Sequence, residues 1–201
     1  MSAPPVPRQG RTAWGWLGPV GPPLLLVVVM WLLEAIDVVL RGRLDAEGIV
    51  ARSPDGLVGV LVSPLLHAGF AHLVANTVPL LVLGALVAYG DRRRFWSVTA
   101  LVVVLGGLGT WLIAPPRSVT IGASGLVFGY LVYLLVVGVR TRHWWDLLVG
   151  VVVLLVYGTL LLGALPWMAA ANVSWQAHLC GALAGGVSAW LLPPRPGARR
   201  W

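Results

Sequence analysis

Residues 122–140 read GASGLVFGYLVYLLVVGVR, an apolar stretch with no charged residue before Arg140. About 20 apolar residues suffice to cross a bilayer as a helix, so this stretch predicts a membrane span. Ser124 stands near its start. Hydrocarbon penalises polar groups, and polar side chains inside spans usually face a bundle interior or a wet cavity. A second predicted span, 174–193, carries His178 within Ala177-His178-Leu179-Cys180-Gly181. A serine and a histidine that meet inside a bundle form a candidate nucleophile and base, provided the topology brings them to one level.

Further apolar runs fall near 22–40, 70–90, 95–114 and 145–164. The 201 residues are 58% hydrophobic and 10% charged, against roughly 25% charged in an ordinary soluble domain. The expected fold is therefore all-α: a polytopic membrane protein of six transmembrane helices, one domain over 22–193. Residues 1–21 and 194–201 are rich in Pro, Gly and Arg and read as short tails. The first run follows Arg8 and Arg11 like a signal peptide, but no small-x-small cleavage site follows it, so it reads as an uncleaved helix. No repeat of 20–50 residues is visible.

The net charge is +7. All fourteen basic residues are arginines spread between apolar runs, so they read as topology signals and not as a nucleic-acid face. Four histidines and one cysteine, Cys180, are scattered over different segments. They predict neither a metal site nor a disulfide framework, and the sequence implies no cofactor. Arg8, Arg11, Arg92, Arg93, Arg94, Arg140, Arg142, Arg195, Arg199 and Arg200 fall on one side of the six-span scheme. Arg41, Arg43, Arg52 and Arg117 fall on the other. The positive-inside rule then puts both termini in the cytoplasm and the 41–69 loop outside, in a plasma-membrane protein. Within that loop Gly56–Leu66, GLVGVLVSPLL, is apolar but short, with Gly and Pro, and reads as an interfacial or re-entrant segment.

This orientation makes the second, fourth and sixth helices all start at the outer face. His72 and Asn76 lie near the start of the second, Ser124 of the fourth and His178 of the sixth. At about 1.5 Å per residue they occupy one shallow level. His72 and Asn76 are i,i+4 and share a helix face, and Phe128 is i,i+4 to Ser124. Gly125 and Gly129 form a small-xxx-small pair, and Gly181 and Gly185 follow the face of His178. Small residues let membrane helices approach closely, as contact between a serine and a histidine on different helices requires. A serine opening a helix also has free backbone N–H groups and the positive dipole end beside it. Glu34 and Asp37, with Asp37 i,i+4 to Arg41, read as a local charge pair.

Three motifs in this order, Gly122-Ala123-Ser124-Gly125, His67-x4-His72-x3-Asn76 and His178-x2-Gly181-x3-Gly185, resemble the rhomboid family of intramembrane serine proteases. The resemblance covers roughly residues 20–193. It implies a Ser124–His178 dyad and oxyanion contacts from His72, Asn76 and the Ser124 N–H. Gly122, Gly125, Phe128, Gly181 and Gly185 would support them, with the Phe128 ring packed on the catalytic histidine. It gives His67 a structural place in the first loop. The implied substrates are transmembrane segments of other proteins in the lipid bilayer. One departure stands out: where many relatives carry a Trp-Arg pair in the first loop, this chain reads Gly56-Leu57-Val58-Gly59-Val60. Two other readings use the same residues. A catalytically silent rhomboid-like binder would hold client helices without cutting them, and a small transporter would use His72, Asn76 and His178 as a polar path. The sequence leaves the oligomeric state open.

Overall fold

A computed structural model describes residues 15–89, 91–142, 144–167 and 173–192. Six helices occupy the six anticipated positions: α1 (Gly21–Leu40), α2 (Phe70–Ala88), α3 (Arg92–Ile113), α4 (Ser124–Thr141), α5 (Trp144–Tyr157) and α6 (Trp175–Leu191). The first four are long and apolar enough to cross a membrane. The fifth is shorter than its apolar run because the chain tightens to a 3₁₀ helix over Gly158–Ala164. The anticipated tails lie largely outside the described residues, although Gly15–Val20 already forms a 3₁₀ turn leading into α1.

Local chemistry sets several boundaries. Pro22 and Pro23 open α1, where a missing N–H costs no helical bond. Asp91 caps α3, its carboxylate accepting from the N–H groups of Arg93 at 2.9 Å and Arg94 at 3.1 Å. In α3 the winding loosens to a π-turn over Val102–Gly106. Ser174 caps α6 by accepting from the Ala177 N–H at 3.3 Å.

The fourth helix is the axis of the bundle. Over half of its span is buried (56%), against 28–33% in the other three long helices. A helix that is apolar all round belongs in the interior, and Tyr130, Leu131 and Tyr133 are almost wholly buried there. Its two buried tyrosine hydroxyls are paired: that of Tyr130 meets Thr99 Oγ1 at 2.7 Å, and that of Tyr133 donates to the Leu192 carbonyl at 3.1 Å. The small-residue prediction holds for α4 and α6. A side-chain carbon on Gly181 would fall on the Gly125 carbonyl, and one on Gly185 on the Gly129 carbonyl. At the far end of this pair, Arg140 lies 4.0 Å over the Trp190 ring and donates to the Ala189 carbonyl.

The first loop packs against α1, the end of α3 and the start of α4. Its apolar stretch forms short helical turns within Pro54–Leu65, too short to span. Two short strands that the sequence does not reveal, β1 (Ile49–Val50) and β2 (Val119–Thr120), pair antiparallel with Ile49 opposite Thr120. Strand β2 ends two residues before Gly122, so this pairing ties the loop to the Ser124 turn. Arg52 and Trp111 supply further anchors: Arg52 Nε donates to the Leu112 carbonyl at 3.1 Å, and Trp111 Nε1 to the Ser53 carbonyl at 2.8 Å. The anticipated Asp37–Arg41 pair does not form. Asp37 accepts instead from the Leu44 N–H at 2.7 Å, because Arg41 takes a left-handed conformation (φ 60°) that ends α1.

Candidate active site

Ser124 is the first residue of α4, so its N–H has no intrahelical acceptor and lies at the positive end of the helix dipole. The turn before it depends on Gly122. That residue has φ +116°, and a Cβ there would stand 2.6 Å from His72 Cε1 and 2.9 Å from His72 Nε2. Only glycine combines that backbone with so close a ring. The Gly122 N–H donates to the Ser63 carbonyl at 2.9 Å. The Ala123 N–H donates to His67 Nε2 at 3.3 Å. Both contacts come from the first loop, which thus fixes the backbone that presents Ser124.

A single cavity of about 500 Å³ is lined by His72 and Asn76 from α2, Ser124 and Phe128 from α4, and His178 from α6. The four polar residues singled out in the sequence are therefore brought together, on three helices that start at one face. Phe128 stacks on His178 with ring centroids 4.1 Å apart and planes inclined by 12°. This holds the imidazole, itself 7% exposed, in one plane. Gly125 faces α6 with room to spare, since a Cβ there would stand 3.5 Å from the Ala177 carbonyl, while Gly181 and Gly185 permit the approach that places His178. Asn76 Nδ2 donates to the His72 carbonyl one turn back at 2.9 Å, and a second amide hydrogen remains on the same nitrogen.

A wider cavity of about 690 Å³ adjoins the first, sharing His72, Thr120, Ile121 and Ser174 with it and adding Asp45 and Gln176. Asp45, Ser174 and Gln176 were not anticipated from the sequence. A Ser-x-x spacing ahead of an apolar run is a cap signal that marks Ser174; nothing in the local pattern marks Asp45. Cys180, 8% exposed, packs against Gly109. Trp167 and Trp175 bracket the loop before α6, of which residues 168–172 lie outside the described residues. His67 is 2% exposed. Burial, and secondarily the neighbouring charge of His72, push its pKa down to about 4, so the ring is neutral at physiological pH.

This architecture, a multi-pass helical bundle with a polar cavity opening beside a helix-initiating serine, is that of a rhomboid-type membrane protein. Residues 54–195 match the Rhomboid domain family, and the chain belongs to the rhomboid family. It is similar to the uncharacterized protein Rv1337 of Mycobacterium tuberculosis, 51% identical over 175 residues, 84% of this chain and 73% of that one. The Bacillus subtilis protein YdcA is 32% identical over 180 residues, covering 84% of this chain and 85% of YdcA. The rhomboid protease GluP of Bacillus subtilis is 30% identical over 142 residues, 69% of this chain and 27% of GluP.

Proposed function

We propose that the protein is an intramembrane serine endopeptidase that cleaves transmembrane segments through a Ser124–His178 dyad. The observation that carries this reading is the shared cavity, which holds His72, Asn76, Ser124 and His178 with Phe128 stacked on the second histidine. Ser124 Oγ attacks the substrate carbonyl while His178 takes its proton, then returns it to the leaving amine. The negative charge that develops on the carbonyl oxygen is met by the Ser124 N–H, His72 and the second Asn76 amide hydrogen. Water entering from the first-loop face hydrolyses the acyl-enzyme. An intact helix hides its carbonyls in backbone hydrogen bonds, so the substrates are membrane segments that unwind close to that face. The chain sits in the plasma membrane with both termini in the cytoplasm and the cavity towards the outside.

The test is covalent labelling of the purified protein with a fluorophosphonate probe, alongside cleavage of a reporter transmembrane substrate. Ser124→Ala should abolish both while leaving insertion and Tm nearly unchanged, since one hydroxyl contributes little packing. His178→Ala should block labelling of Ser124, because a serine hydroxyl is a weak nucleophile without its base. Unlabelled wild-type protein that still captures client helices would overturn the protease reading in favour of a silent binder.

A further inference from the structure

The proposed mechanism gives no role to two α2 residues, Ala75 and Pro79, that line the same cavity as the dyad. Pro79 lies in the interior of α2. Proline has no N–H, and its ring presses on the carbonyl four residues back. The Ala75 carbonyl therefore has no helical donor. In hydrocarbon an unpaired carbonyl is costly, and a turn broken by proline is tolerated where other donors reach the freed group or where it lines a wet cavity.

Position decides between these. His72, Ala75, Asn76 and Pro79 all line the cavity, and at i, i+3, i+4 and i+7 they form one continuous helix face. A helical carbonyl points along the axis towards the residues three and four further on. That of Ala75 thus lies between two cavity-lining residues, starting about 4.5 Å deeper than His72. The side-chain donors of this turn are spent on other carbonyls: Asn76 Nδ2 on that of His72 at 2.9 Å, Thr77 Oγ1 on that of Leu73 at 2.8 Å. Thr77 Oγ1 in turn accepts from Trp31 Nε1 of α1 at 3.1 Å. Ala75 is exposed, and a methyl group is too small to cover its own carbonyl.

We propose that the Ala75 carbonyl, released by Pro79, is a binding acceptor for a backbone N–H of the unwound substrate segment. This role rests on the protease reading above. A transmembrane substrate must lose helical hydrogen bonds to expose the carbonyl that Ser124 attacks, and each bond lost frees an N–H as well. The oxyanion donors meet only the carbonyl side of that exchange. An acceptor in the cavity wall meets the other side, one position along α2 from Asn76. Such a contact favours unwound backbone over intact helix whatever the substrate's side chains, because in an intact helix that N–H is already taken.

The test deletes the N–H from the substrate and restores one to the enzyme. Synthetic transmembrane peptides in which single amides flanking the scissile bond are replaced by esters lose one N–H at a time. With the full chain in detergent, kcat/KM is measured for each ester and its parent amide, in wild type, Pro79→Ala and Pro79→Gly. Both substitutions give the Ala75 carbonyl a helical donor. Comparing the ester-to-amide ratio between proteins cancels any general effect of the substitution on turnover. In wild type one ester position should lose about 3–10-fold, the range of one neutral hydrogen bond. In both variants the loss at that position should shrink to under about twofold, the spread of independent changes. Tm should hold or rise, since proline is the poorest helix former. Alanine straightens the helix and glycine leaves it free to bend, so a shared result belongs to the restored N–H; if one variant does not fold, the other decides. No sensitive position in wild type, or the full loss retained in a folded variant, would overturn the proposal. So would a uniform slowing of every peptide at unchanged ratios, which would make the carbonyl a holder of hydrolytic water. Wild-type protein that cuts no peptide would defeat the protease reading, while the amide-to-ester difference in peptide affinity, read in the same three proteins, would still judge the acceptor.

Discussion

In the proposed mechanism Asn76 combines two tasks in one amide. Its side chain already donates to the His72 carbonyl, so the nitrogen is held in place before substrate arrives, with one hydrogen left for a developing oxyanion. Loss of one such donor typically costs on the order of 10²–10³ in kcat. With His72 and the Ser124 N–H proposed to share the load, Asn76→Ala should lower kcat by at least about tenfold with KM little changed, as expected for an interaction that strengthens in the transition state. A several-fold rise in KM at constant kcat would make Asn76 a substrate-binding residue instead. His67 supports a different prediction. Its folded pKa of about 4 lies below the ordinary histidine value of 6.5, so the unfolded chain binds the proton more readily between those values. The stability it contributes is complete above pH 6.5 and is lost as the pH falls towards 4, by up to about 1.4 kcal/mol per pH unit. Unfolding measured across this window should flatten in His67→Gln; an unchanged slope would place the titration elsewhere.

The fourth and sixth helices approach closely enough that the backbone of one touches the other, and the glycines there are not equivalent. Gly181 has no room for a side chain, because its Cβ would land on the Gly125 carbonyl, which cannot move without bending α4. Overpacking of a tight interface costs typically 1–3 kcal/mol, so Gly181→Ala should lower Tm clearly and displace His178. Gly125 faces the same interface, yet a Cβ there would stand 3.5 Å from the Ala177 carbonyl, an ordinary contact. Alanine is favoured over glycine in a helix by about 1 kcal/mol. Gly125→Ala should therefore be neutral or slightly stabilising in a thermal melt, although it sits beside the serine. Comparable losses from both substitutions would contradict this packing.

For the whole molecule, the arginine distribution and the common starting face of α2, α4 and α6 make one joint prediction about orientation. Reporter fusions after Arg94, after Arg142 and at the C-terminus should all report the cytoplasm, and one near Asp45 the outside. A cytoplasmic signal at Asp45 would open the cavity to the wrong compartment for the proposed activity.

Six helices, the helix-start positions of the four polar residues and the small-residue seam were all legible in the sequence. Each follows from hydropathy, helical rise and i,i+4 spacing, which are properties of single segments. Ser124, His72, Asn76 and His178 could be singled out because a polar group in an apolar run is conspicuous wherever its partner lies. The rest was hidden in loops, where no period constrains the side chains. Asp45, the β1–β2 pairing and the His67–Ala123 bond join residues up to about 70 positions apart, and no local pattern relates them. Asp37 and Arg41 show the converse: their spacing suggested a pair, but the left-handed end of α1 gave the carboxylate a backbone partner. Which segments are apolar enough to enter the membrane, and which polar residues enter with them, is written in the chain, because burial in hydrocarbon is decided segment by segment. That those residues share one cavity, and that a loop histidine holds the turn beneath the serine, came from the packed bundle alone, because both depend on contacts that form once the helices have met.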